Sequence, residues 1–114
     1  MPIYHITSTA EADKAGRLGE YVPKNFAAEG FIHCSYANQF VRVANQRFRG
    51  QADLVLLEID TQKLNCRVVD ENLEGGAEKF PHIYGALPIS AVVRIYEFPC
   101  DANGGFETPA CLTS

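Results

Sequence analysis

Gly30-Phe31-Ile32-His33-Cys34-Ser35 reads as a short strand running straight into a helix. Successive strand side chains alternate between faces, so Phe31, His33 and Ser35 share one face while Ile32 and Cys34 share the other. The Ile32/Cys34 face is core by composition. The opposite face carries an imidazole and a hydroxyl. Ser35 stands where a helix N-cap belongs, before Tyr36-Ala37-Asn38-Gln39, so helix-opening backbone donors are expected beside His33. Such a setting suits a small polar pocket, including one for an anion.

Further along, Phe80-Pro81-His82-Ile83-Tyr84-Gly85 repeats this pattern, with His82 and Tyr84 on one face and Ile83 on the core side. Between them, Ala37, Phe40, Val41, Ala44 and Phe48 fall at helical spacing, with Arg42 off the stripe and Gly50 closing the helix. Asp53 to Asp60 is nearly continuous in apolar residues, as in a central strand covered on both faces. Toward the N-terminus, Pro2 to Ile6 is a strand with Ile3 and His5 opposite Tyr4 and Ile6. Ser8 and Glu11 then form a capping-box pattern for a helix from Thr9 to about Gly16. Cys66 to Val69 forms a strand that ends in Asp70 and Glu71, Leu73 to Lys79 a mobile loop, and Ala91 to Phe98 the last strand. Residues 1–99 form a single globular domain, and the composition of 100–114 is that of a flexible tail. Short strands, two modest helices and no regular βαβ alternation predict an α+β fold with a mixed or antiparallel sheet.

With 114 residues, 46% hydrophobic and 21% charged, the chain matches an ordinary globular domain. A formal charge of −4 lacks the basic footprint of general nucleic-acid binding. No apolar run is long enough to span a bilayer, and the N-terminus lacks a signal-peptide pattern, so the expected address is the cytoplasm. Cys34, Cys66, Cys100 and Cys111 show no Cys-x-x-Cys spacing and are expected as reduced thiols. Alternation turns Cys34 away from His33, which argues against a Cys-His nucleophile.

All three histidines, His5, His33 and His82, lie in otherwise apolar strands, and two have a hydroxyl two residues later on the same face. That coincidence predicts a shared pocket. Three imidazoles could instead bind a divalent metal ion, but their spacing does not indicate convergence, and no metal ligand is assigned. A Ser-His-acid hydrolase lacks its Gly-x-Ser-x-Gly elbow.

Ile3-Tyr4-His5-Ile6, Glu29 to Ser35, Val43-Ala44-Asn45, Asp53 to Leu57, Glu71 and Phe80 to Gly85, in this order, resemble the bacterial family called domain of unknown function 952. The resemblance covers roughly residues 2–98. It implies a compact fold similar to the ADP-ribosyltransferase superfamily, which includes NAD-dependent RNA 2′-phosphotransferases. It further implies that His5 holds the nicotinamide end of NAD, that His33 and Ser35 line the same cleft, and that His82 and Tyr84 close it. Arg42 would reach the pyrophosphate, and Glu71 would stabilise an oxocarbenium-like centre. Many transferases of that superfamily carry a late-strand glutamate where this chain offers His82 and Tyr84. The expected function is binding of NAD or ADP-ribose with ADP-ribosyl or 2′-phosphotransferase-like chemistry. The alternatives are a non-enzymatic module for a protein partner and a metal-dependent hydrolase.

Overall fold

A computed structural model describes residues 2–72 and 76–113. Strand β1 (Ile3–Ser8) leads into helix α1 (Thr9–Leu18), whose first turn is capped as the Ser-x-x-Glu pattern predicts: Glu11 N donates to Ser8 Oγ at 3.1 Å. The helix runs through Gly16 and ends at Gly19, whose φ of 85° suits a residue without Cβ and whose N–H reaches the Ala15 carbonyl. The remaining elements are β2 (Glu20–Tyr21), α2 (Phe26–Glu29), β3 (Ile32–His33), α3 (Phe40–Arg47), β4 (Leu54–Ile59), β5 (Val68–Glu71), β6 (Phe80–Ile83), β7 (Leu87–Pro88), β8 (Val92–Glu97) and α4 (Ala110–Thr113). The fold is α+β, and every strand pairing among the described residues is antiparallel.

Strand β4 is the middle of the first sheet, ordered β1-β4-β8. Its alternation serves two cores. Leu54 and Leu56 pack with Tyr4, Ile6, Phe40, Tyr96 and Phe98, while Val55, Leu57 and Ile59 pack with Ile3, Ile32, Cys34 and Ile83. A strand apolar on both faces is the physical requirement of that position. A second sheet, ordered β3-β6-β5, sets His33 opposite His82 and Val69 opposite His82. Strands β2 and β7 form a small third sheet.

The structure corrects the reading of the segment after Cys34. Ser35 does not cap a helix: it bridges to Tyr4 by two backbone hydrogen bonds of 2.8 Å, and α3 begins five residues later, at Phe40. The intervening turn is held by Gln39, whose Oε1 accepts from Tyr36 N at 2.9 Å and whose Nε2 donates to the Lys79 carbonyl at 2.9 Å. Phe40, Val43 and Ala44 form the buried face of α3, so the stripe is phased on Val43 and not on Val41. The strand that ends in the acidic pair begins at Val68 rather than Cys66, and Asp70 and Glu71 are its last two residues. Of the expected mobile loop, residues 73–75 lie outside the described residues.

Part of the expected flexible tail is tied to the core. Phe106 is 4% exposed, with its ring centroid 5.0 Å from that of Phe98, and its N–H donates to Asn45 Oδ1 at 2.8 Å. Asp101 accepts from the N–H groups of Asn103 and Gly105 and turns the chain back. Phe106→Ala is therefore expected to lower unfolding free energy by about 3 kcal/mol. Urea denaturation showing a loss under about 1 kcal/mol would mean that the segment does not contribute to the core.

Candidate functional site

A cavity of about 270 Å³ opens beside β1 and β3, lined by His5, Tyr21, Phe31, His33, Ser35 and Arg47, among others. A second hollow of about 230 Å³, lined by Arg42, Glu78 and Phe80, shares His33, Val43 and Arg47 with the first. His33 and Arg47 thus stand where the two meet. A larger groove of about 600 Å³ runs along β8 and the C-terminal segment, but none of the seven expected site residues lines it.

His5 reaches the first cavity from β1. Its Nδ1 lies 2.6 Å from the His33 carbonyl, an acceptor, so Nδ1 carries the proton. In the neutral ring Nε2 then accepts from the Tyr21 hydroxyl at 2.9 Å. Thr7, whose Oγ1 lies 3.0 Å from the same phenol, completes the chain by donating to it. Burial pushes the pKa of His5 down to about 4, with the His33 carbonyl only partly offsetting it. Burial likewise raises that of Tyr21.

His33 is delivered by β3 with Phe31 on its face, as period-2 alternation predicts. Its Nδ1 lies 3.2 Å from His82 Nε2, and its ring centroid is 5.1 Å from that of Phe80. Burial first, then the proximity of His82, Arg47 and His5, lowers its pKa to about 4. His82 is 2% exposed and lies under Phe31, whose ring stacks on it at 4.1 Å and 13°. His82 Nδ1 donates to Glu71 Oε2 at 3.0 Å, and the Tyr84 hydroxyl donates to the same oxygen. The Tyr84 bond is the main cause holding the Glu71 carboxyl below its ordinary range.

The seven expected residues therefore divide. His5, His33 and Ser35 line one cavity. Glu71, His82 and Tyr84 form a hydrogen-bonded group behind His33, with Glu71 turned to His82 and Tyr84. Arg42 lines the second hollow, where its guanidinium grips Glu78 at 2.5 and 3.0 Å. Cys34 faces the core, where burial pushes its thiol well up. Among the described residues no group of three or more His, Cys, Asp or Glu is arranged to hold a metal ion. No helix of the described residues is long and apolar enough to cross a membrane.

Two contributors were missed from sequence. Tyr21 lies in Leu18 to Pro23, which reads as an extended link because Pro23 biases Val22 away from helix, and only the folded chain brings its hydroxyl to His5. Arg47 follows Val43 by one helical turn, so a stripe phased on Val43 would have placed it on the face toward the cavity.

The two depressed histidines give stability a definite pH dependence. With folded-state values near 4 against 6.5 in the unfolded chain, the unfolded state takes up protons first as pH falls. Their contribution is full above about pH 6.5 and is lost between there and pH 4. Denaturation at pH 7.5 and 4.5 is expected to differ by a few kcal/mol, less where the rings meet solvent. Equal stability at both values would contradict two neutral histidines.

The family described as "Protein of unknown function (DUF952)" matches residues 6–95. The crystal structure of protein CC0527 from Caulobacter crescentus is 38% identical, with 94% of each chain covered and a TM-score of 0.84. The solution structure of the same protein is 39% identical over 91% of this chain and 90% of that one, with a TM-score of 0.80. A comparison with curated proteins finds no match.

Proposed function

We propose, for a chain that belongs to the DUF952 family, that the two joined hollows bind NAD or ADP-ribose in the cytoplasm and support ADP-ribosyl or 2′-phosphotransferase-like chemistry on an ADP-ribosyltransferase-like fold. The observation that carries this reading is the junction: neutral His5 lines the first hollow and Arg42 the second, and neutral His33 and Arg47 belong to both. Each hollow alone is small for a dinucleotide, while the pair in series reaches the range of roughly 300–1,000 Å³ common for ligand sites.

The residues fit such a ligand by charge. Neutral imidazoles do not repel a cationic nicotinamide, and Phe31 offers a planar contact beside them. Arginine guanidinium groups suit the oxygens of a pyrophosphate. NAD, when bound, supplies a glycosidic bond whose cleavage releases nicotinamide and leaves an oxocarbenium-like ribose. The chain's part is to bind, to orient and to accept a proton at His33.

The test is incubation with NAD followed by mass-spectrometric measurement of nicotinamide. Release that depends on the protein supports the enzyme. Binding without release supports the non-enzymatic reading, which the 47% and 53% exposure of Val93 and Ile95 on edge strand β8 favours as a protein-contact surface. Neither binding nor release would overturn the nucleotide assignment.

A further inference from the structure

We infer that Glu71, Tyr84 and His82 form a relay that fixes His33 with its proton on Nδ1 and its lone pair on Nε2, so that the cleft selects a ligand hydroxyl or N–H as its partner there. The identity of the ligand rests on the nucleotide reading above; the polarity of the relay does not.

A carboxylate only accepts, so the 3.0 Å contact between Glu71 Oε2 and His82 Nδ1 places a proton on that nitrogen. The Tyr84 hydroxyl converges on the same oxygen and helps keep Glu71 ionised. In a neutral His82 the remaining nitrogen, Nε2, is an acceptor. His33 Nδ1, 3.2 Å away, must then donate, and its own Nε2 is left with a lone pair. The backbone supports this order: His33 and His82 are directly paired across β3 and β6, and the Phe31 ring stacked on His82 holds its plane.

The far end of this relay is where a ligand is needed. Among the described residues, His33 Nε2 is the buried side-chain nitrogen or oxygen without a hydrogen-bond partner. An unpaired buried polar group is costly, and such groups cluster where function requires them. His5, on the same cavity wall, already has both nitrogens engaged, with the His33 carbonyl and with Tyr21. His33 is therefore the imidazole with acceptor capacity to spare. In NAD or ADP-ribose the groups that can donate to it are the ribose hydroxyls and the amide or adenine N–H groups. A phosphate at neutral pH offers acceptors only and belongs with the arginines. Glu71, His82 and Tyr84 are thus positioning residues that act through His33.

Nitrogen NMR of the imidazole rings at pH 8 tests this directly. The whole protein is expected to show His33 protonated at Nδ1 and bare at Nε2. Addition of ADP-ribose is expected to shift Nε2 of His33 while Nδ1 keeps its proton. In Glu71→Ala, which removes the acceptor from His82, the His33 proton is expected to divide between both nitrogens, a change that a merely structural role would not produce. A wild-type His33 protonated at Nε2 overturns the relay without any variant. ADP-ribose that shifts other resonances but leaves Nε2 unmoved overturns the ligand assignment. A silent titration with the tautomer in place overturns the nucleotide reading and that assignment together, while the relay stands.

Discussion

His33→Ala is expected to reduce nicotinamide release from NAD by about 10²- to 10⁴-fold, the range a positioned proton acceptor supplies. Three features make this the most sensitive position. His33 belongs to both hollows, its Nε2 has no hydrogen-bond partner among the described residues, and its Nδ1 ends the chain from Glu71 through His82. The backbone's use of this residue survives the substitution, because the His33 carbonyl still accepts from His5 and the pairing of β3 with β6 is a main-chain matter. Circular dichroism is accordingly expected to show the wild-type fold, with stability lower by about 1–3 kcal/mol because buried His82 Nε2 loses its donor. Release that continues at the wild-type rate would remove His33 from the chemistry.

Phe40→Ala carries the largest expected cost in stability, about 3–5 kcal/mol. Phe40 is fully buried, with its ring 5.1 Å from Tyr4 and 5.7 Å from Phe98, and it opens helix α3 beneath the strand that pairs with Ser35. With slopes of about 1–3 kcal/mol/M in urea, the midpoint should fall by at least about 1 M. Val41→Ala is the control. Val41 is only half-buried on α3, and the same measurement should show a loss of about 1 kcal/mol or less. Comparable losses at the two positions would contradict the phase of the helix.

What could be read in the sequence was what depends on local periodicity. Alternation alone separated His33 and Phe31 from Ile32 and Cys34, paired His82 with Tyr84 against Ile83, and made β4 a strand apolar on both faces. Ser8 and Glu11 located the start of α1 by the same local logic. What escaped was set by partners distant in the chain. Ser35 looks like an N-cap until Tyr4, thirty-one positions earlier, claims its backbone. Gln39 gives no sign of its role as the tie to Lys79, and Phe106 sits in a segment whose Gly, Asn and Thr content hides one anchoring aromatic ring. The site shows the same division: the candidate histidines were visible, but only the folded chain revealed that Glu71 stands behind His82 and that Tyr21 engages His5.

Carbon-13 spectra of the three imidazoles, recorded while the protein is titrated with NAD and with ADP-ribose, test most directly whether separate strands build one nucleotide cleft. His5 and His33 are expected to shift together with one saturating dependence on ligand, and His82 to follow through its hydrogen bond to His33. Rings that remain unperturbed at millimolar ligand, or that respond with unrelated affinities, would contradict a common site.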